Sequence, residues 1–359
     1  MDARIPVTLL TGFLGAGKTT LLNQLLTDEA GERIAVIVNE FGEVGLDHDL
    51  METSTDDVVL LSSGCLCCTV RGELSETITN LLSRRTSGEF DFSRIVIETT
   101  GLADPGPILQ TMLVERAVSD ATRVDGVVTV VDAANGPATL DAQFEAVSQV
   151  AMADLVIMSK TDLVDYDQVM VLETRLRGLN ATARIHPAVR GKDMAEQIWG
   201  LSGLKRNVPA TTALSWVGTV PAVPVATQAE PQSLGNLSGF GAMLKGTAPL
   251  SSHDARIETA SIVIDRPVSD EGFDDWLNDL VRRRGPNLLR VKGIVFLDGI
   301  PNPFVFHGVQ NVFDPPVIVK DWPEGDQTSR VVIIARDIPK SELQAGLDEL
   351  AAHVVTLPT

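Results

Sequence analysis

Six short runs of Val, Ile and Leu limit what this chain can become. They read IPVTLLTG (5–12), RIAVIVNEFG (33–42), DVVLLSSGC (57–65), SRIVIETTG (93–101), VDGVVTVVDA (124–133) and ADLVIMSKTD (153–162). Apolar residues fill successive positions instead of alternating, so each run needs cover on both faces. The stretches between them, such as KTTLLNQLLTDE and TVRGELSETITNLLSRR, carry helical spacing. Buried strands alternating with helices predict an α/β fold: a parallel sheet with helices on both faces. ARIHPAV offers one further strand, and this first domain, 1–208, is complete before the composition changes.

Residues 209–254 are rich in Pro, Gly, Ser, Thr and Ala without clear periodicity, which reads as a linker. Order resumes in 255–359. Strands are expected at IETASIVID, LLRVKGIVFLDG, PFVFHGVQNVFD and SRVVIIARD, and helices at DEGFDDWLNDLVRR and KSELQAGLDELAAHV. That pattern predicts a smaller α+β C-terminal domain with an antiparallel sheet.

GFLGAGKT, between the first strand and the first helix, fits the G-x-x-x-x-G-K-[ST] phosphate loop. Gly12, Gly15 and Gly17 let the backbone approach closely, and the N–H groups from Phe13 and Leu14 through Ala16 to Thr20 can wrap phosphate oxygens at a helix N-terminus. Lys18 would reach the β- and γ-phosphates, and the Thr19 hydroxyl would ligate Mg²⁺. Ser159-Lys160-Thr161-Asp162 follows the sixth strand. The Asp162 carboxylate can accept both guanine N1–H and N2–H₂, a donor pair that adenine lacks, while the Lys160 stem lies over the base plane. GTP is therefore the expected nucleotide. Glu98 ends the strand IVIET and can hold the magnesium shell or a water. Gly101 offers a backbone N–H to the γ-phosphate. No glutamine follows ETTG and no arginine is evident to stabilise transferred charge, so slow intrinsic hydrolysis is expected, raised by a bound metal or partner.

All three cysteines fall in SGCLCCTV: Cys65, Cys67 and Cys68. On extended chain Cys65 and Cys67 share a face and form a natural chelating pair, with Cys68 joining where the chain turns. Glu40, Asp47, His48 and water are candidates to complete a four-coordinate site. Soft thiolates suit Zn²⁺ or Cu⁺, with Co²⁺ as an alternative, over Mg²⁺. Two other readings stay open: three small buried residues, or a C-x-C-C thiol-redox centre. The cluster ends the third strand, and ligands of such sheets gather beyond the carboxyl ends of the strands. The metal and nucleotide should thus be neighbours. NEFGEVGLDHDL, with Glu40, Glu43, Asp47 and His48, reads as a switch segment able to touch both, so that each ligand sets the affinity of the other.

The motifs TGFLGAGKTTLLN, IVNEFGEVGLD, LSSGCLCCTVRGEL, IVIETTGLADP and SKTDLV stand in the order found in the CobW family of P-loop GTPases, which this chain resembles. RPVSDEGFDDWL, LLRVKGIVFLDG, FHGVQNVFD and VVIIARD resemble the CobW C-terminal domain. The resemblance implies a P-loop NTPase fold and a GTPase that binds a transition metal, zinc first, and delivers it to a client metalloprotein. It implies phosphate contacts from Gly12 to Thr20, guanine contacts from Lys160 and Asp162, and metal thiolates at Cys65, Cys67 and Cys68. Client docking falls to the C-terminal domain. The rivals are an activator inserting cobalt or iron into one metalloenzyme, as nitrile-hydratase activators do, and a redox sensor with a structural nucleotide. Many relatives carry a histidine-rich run near the linker. Here only His253 lies there, which favours single-site delivery over storage.

The net charge of −19 argues against nucleic acid or an anionic membrane as partner. No apolar run approaches the ~18 residues of a membrane span, and MDARIPVTLLTG lacks the layout of a signal peptide. With clustered cysteines, a cytoplasmic setting is expected, and a homodimer is left open. His186 and His307, among apolar neighbours, read as structural, and Trp199, Trp216, Trp276 and Trp322 as packing residues.

Overall fold

The computed structural model describes residues 3–27, 33–39, 59–63, 70–191, 194–202, 209–218, 256–323 and 325–355. In the first unit the chain runs β1 (Ile5–Gly12), α1 (Lys18–Thr27), β2 (Ile34–Asn39), β3 (Val59–Ser63), α2 (Val70–Thr86), β4 (Arg94–Thr99), α3 (Pro105–Val114), α4 (Arg116–Ser119), β5 (Thr122–Asp132), α5 (Gly136–Ala142), α6 (Phe144–Ala151), β6 (Leu155–Ser159), α7 (Tyr166–Leu179), β7 (Arg184–Pro187) and α8 (Ala195–Ile198). The strands form one seven-stranded sheet in the order β3-β2-β4-β1-β5-β6-β7, with every pairing parallel. Each continuous apolar run contributes a strand, and β1, β2, β4, β5 and β6 are buried on both faces. One face packs Leu10, Val36, Val96 and Val128 against α1, and the other packs Leu9, Ile37, Ile95 and Ile97 against α2 and α3.

Helix α9 (Ala210–Val217) lies inside the stretch read as a linker. Ala210, Ala213, Trp216 and Val217 pack on Ile294, Phe296 and Val332 of the second sheet. Ala, Thr and Ser mask the periodicity, because the apolar face uses alanines where a sequence reading looks for larger side chains. The rest of that stretch lies outside the described residues.

The second unit comprises β8 (Ile257–Ile264), α10 (Asp270–Arg284), β9 (Leu288–Val295), β10 (Phe304–Val309), β11 (Val312–Phe313), β12 (Val317–Ile318), β13 (Ser329–Arg336) and α11 (Lys340–Ala352). Its sheet is antiparallel in the order β11-β10-β9-β13-β8, with β12 paired to β10. The run PFVFHGVQNVFD, expected as one strand, is a hairpin: Val309 pairs with Val312 across Gln310 and Asn311, and Gln310 takes φ 55°. Strand β9 alternates as a strand with two buried faces must. Val291 and Val295 face α10 and α11, while Ile294 and Phe296 face α9.

The two units share a core. Ile257, Leu289 and Ile334 of the second sheet pack with Val147, Val150, Leu172 and Leu176 of α6 and α7. Beside them Arg290 holds Asp154 through both carboxylate oxygens, at 2.6 and 2.7 Å, and Lys292 lies 2.7 Å from the same carboxylate. At another corner the β10–β11 turn sits on α3: Gln110 donates to Gln310 and, at 3.3 Å, to Asn311.

Candidate functional site

Four loops meet at the carboxyl ends of the central strands, where ligands of parallel sheets collect. The loop from Gly12 to Gly17 leaves β1. Gly12 takes φ 140° because β1 and β5 run close: a Cβ there would fall 2.3 Å from the Val130 carbonyl oxygen. Gly15 and Gly17 take φ 71° and 99°, with nothing but side-chain atoms of Ser159 near Gly17 and open space at Gly15. The loop turns through Ala16 N–H donating to Phe13 O at 3.1 Å, and α1 begins at Lys18. Gly12, Phe13, Leu14, Gly15, Ala16, Gly17, Lys18, Thr19 and Thr20 therefore lie on one strand–loop–helix unit whose helix N-terminus opens to the loop. The Lys18 ammonium turns back into the loop, donating to Gly12 O at 2.9 Å and Phe13 O at 3.4 Å.

The loop after β4 brings a carboxylate to this unit. Thr19 Oγ1 donates to Glu98 Oε1 at 3.1 Å, and Glu98 is only 5% exposed. A hydroxyl and a buried carboxylate side by side are hard oxygen donors, and they fit a Mg²⁺ ion that keeps part of its water shell. Thr99 Oγ1 donates to Thr11 Oγ1 at 2.8 Å and fixes the end of β4 against β1. Gly101 lies against the loop itself: a Cβ there would fall 2.4 Å from the Leu14 backbone nitrogen.

Beyond β6, Ser159 Oγ donates to Ala16 O at 2.6 Å. Lys160 donates to Gly15 O at 2.8 Å and to Asp132 Oδ2 at 2.6 Å. Asp162 stands exposed in the 3₁₀ turn Thr161–Leu163, on the same rim. Asp132 ends β5 and went unnoticed in the sequence, although it obeys the logic that singled out Glu98: an acid closing a buried strand. Its oxygens accept from Lys160, from Asn135 Nδ2 at 2.9 Å, and from the backbone N–H groups of Ala134 and Asn135 at 2.8 and 3.0 Å. Burial alone would push its carboxyl up; these donors outweigh that and hold it below its ordinary value. Gln149 was also missed, as a lone amide inside the apolar helix VSQVAMA. It donates to Gly101 O at 3.2 Å and Ala103 O at 3.1 Å. A cavity of about 220 Å³ behind the loop is lined by Phe13, Leu14, Leu140, Asp132, Gln149 and Lys160.

Cys65, Cys67, Cys68, Glu40, Glu43, Asp47 and His48 lie outside the described residues. Among the described residues no cluster of three or more His, Cys, Asp or Glu side chains could hold a metal ion. The strand register does fix where those segments leave the sheet. Asn39 pairs with Ser63 on one side and with Thr99 on the other. Chain leading to Glu40 and chain leading to Cys65 thus depart abreast, from the rim that carries Glu98. Three strand spacings, roughly 14–15 Å, separate β3 from β1. His307 is buried with Nδ1 3.3 Å from Asp314 and its ring edge-on to Trp216, and His186 is half-buried at β7. No helix among the described residues is long and apolar enough to cross a membrane.

The nucleotide-binding domain model of the CobW/HypB/UreG family matches residues 6–187, and the cobalamin synthesis protein CobW C-terminal domain model matches 257–351. The zinc chaperone YjiA of Escherichia coli is 34% identical over 350 residues, 95% of this chain and 97% of that protein. The zinc-regulated GTPase metalloprotein activator 1 of Schizosaccharomyces pombe is 39% identical over 195 residues, 52% of this chain and 46% of that one. A crystal structure of Zn(II)-bound YjiA GTPase from E. coli aligns with a TM-score of 0.71 at 30% identity, covering 98% of this chain and 99% of that one. With both folded units matched and likeness running along nearly the whole length, the chain belongs to the CobW family of P-loop GTPases.

Proposed function

We propose that this protein hydrolyses GTP to GDP and phosphate and couples that cycle to delivery of a transition metal, zinc, to a client metalloprotein. The observation that carries the coupling is the register that pairs Asn39 with both Ser63 and Thr99. β2 and β3, which precede Glu40 and the three cysteines in sequence, end level with β4, whose Glu98 faces the phosphate loop, and this supports neighbouring sites. Relatives named as zinc chaperones support the choice of cargo.

In this reading the backbone N–H groups of Gly15, Gly17 and Lys18 hold phosphate oxygens. The Lys18 ammonium leaves the Gly12 carbonyl for the β- and γ-phosphates. Thr19 and Glu98 would hold Mg²⁺, which would supply positive charge beside the triphosphate. Gly101 contacts the γ-phosphate. Lys160 stays anchored on Gly15 and Asp132 and covers the base, while Asp162 accepts its two donors. Glu43, Asp47 and His48 ride on the segment between the two sites, and the thiolates hold zinc until that segment changes partners. GDP, GTP and the client are the ligands; nucleic acid and membrane are not.

The test is zinc affinity by competition with a chromophoric chelator, with a non-hydrolysable GTP analogue, with GDP and without nucleotide. At least a tenfold spread is expected, abolished by Cys65→Ser with Cys67→Ser. Equal affinity in all three conditions would remove the coupling, and thiols equally reactive with and without chelator would favour redox chemistry instead.

A further inference from the structure

Gln149 occupies the middle of α6 with no exposed surface. An amide that deep in an apolar helix is unfavourable unless its polar atoms are used. Its Nε2 donates to the carbonyls of Gly101 and Ala103, residues that follow the acid-bearing strand β4. Two carbonyls require a donor, so the orientation of the amide is set by chemistry. The helix is itself tied to the sheet, because Thr129 Oγ1 donates to the Gln149 carbonyl at 2.9 Å. Its Oε1 is buried and has no hydrogen-bond partner among the described residues. The side chain lines the 220 Å³ cavity behind the phosphate loop, shared with Leu14 and Gly15. One side chain thus joins a rigid helix to the loop whose Gly101 presses on Leu14.

We propose that Gln149 is a positioning residue for GTP hydrolysis: it pins the Gly101–Ala103 backbone so that this loop meets the γ-phosphate. It touches neither nucleotide nor magnesium and acts through the loop. Both ends of the loop are then fixed, at Thr99 by the hydroxyl contact with Thr11 and at Gly101–Ala103 by Gln149. Losing the second anchor lets Gly101 drift, and a small displacement of a transition-state contact is costly. Binding of the β-phosphate and the base uses other loops and should not notice. The inference rests on the GTPase reading above.

The experiment compares full-length wild type with Gln149→Met and Gln149→Glu. Methionine keeps the volume and removes the donor; glutamate keeps Oε1 and turns the donor into an acceptor facing two carbonyls. Steady-state GTP hydrolysis, affinities for GDP and a GTP analogue, and thermal melting are measured on all three. Expected in both variants is a kcat at least tenfold lower, GDP affinity within twofold of wild type, and GTP-analogue affinity reduced relative to GDP. Wild-type kcat in either folded variant overturns the proposal, and Gln149→Met, which buries no charge, is the deciding variant should the carboxylate of Gln149→Glu prevent folding. GDP and GTP-analogue affinities falling in parallel would mean a merely structural role and also overturn it. Wild type that binds no GTP overturns the GTPase reading and this inference together; active wild type with unaffected variants overturns this inference alone.

Discussion

Lys160 holds a left-handed backbone conformation, φ 56°, which costs a non-glycine residue about 1–2 kcal/mol. Its ammonium contacts to Gly15 O and Asp132 oppose that strain, in part only, because the Lys160 side chain is 36% exposed and solvent screens it. Asp162, two residues on, is exposed in the turn that Lys160 precedes, and in the proposed reading it meets the guanine base. Asp162→Asn exchanges one acceptor for a donor. Affinity for GTP should fall by about tenfold to a hundredfold, the equivalent of ~1.5–3 kcal/mol. Affinity for xanthosine triphosphate, whose base offers an acceptor at that edge, should rise. Nucleotide titrations with both triphosphates check the exchange. Lys18→Ala removes the ammonium now resting on Gly12 and Phe13. The expected loss in kcat/KM for GTP is on the order of a hundredfold or more, the scale of one lost transition-state charge contact, with an unchanged melting temperature.

At the scale of elements, strands show how far a sequence can be read. Doubly buried strands announce themselves as unbroken aliphatic runs, and glycines at the first strand exit announce the loop, because only glycine fits beside Val130 with φ 140°. Gly12→Ala should therefore be poorly tolerated, lowering stability by about 1–3 kcal/mol, measurable by urea denaturation. Acids at strand ends were legible at Glu98 and equally available at Asp132. Gln149 was not, since its meaning depends on Gly101 and Ala103, some 46 to 48 residues away in sequence. Nor was α9, whose alanine face acquires sense only against β9 and β13. The β10–β11 hairpin was hidden because Gln310-Asn311 is not a typical turn pair, and only its seat on α3 explains its use there. Gln310→Ala should remove one acceptor from the 6%-exposed Gln110, which keeps its bond to Asn311. A loss of about 0.5–1.5 kcal/mol is expected, accompanied by a changed GTP hydrolysis rate, because α3 continues directly from the loop after β4. Denaturation and turnover measured on one preparation test both.

At the scale of the molecule, the two units meet over a buried carboxylate. Asp154 accepts from Arg290, from the Val127 backbone N–H at 2.9 Å and faces Lys292, with all three charged side chains at most 3% exposed. Burial pushes the Asp154 carboxyl up, but the two neighbouring cations outweigh it and hold it well below the usual carboxylate range. For Lys292 burial wins over the attraction of Asp154 and pushes the ammonium down to about 8. Lys292 also lies over the Trp216 ring of α9, 4.8 Å from its centroid. Asp154→Asn strands two buried cations, and the expected cost is about 3–5 kcal/mol, seen as a lower melting temperature. Because the folded carboxyl ionises below its ordinary value of 3.8, its contribution is complete above that pH and is lost as pH falls beneath it. Wild type should lose stability through that acid range, and Asp154→Asn should lose less.

That buried triad also bears on how motion can cross the molecule. Pulling the C-terminal unit away from α6 would part Arg290 and Lys292 from the Asp154 carboxylate and expose Ile257, Leu289 and Ile334. Wide separation of the units would therefore cost both the two-cation contact and the shared apolar core. A small swivel about Asp154 would keep both and would be felt where Gln110 of α3 donates to Gln310.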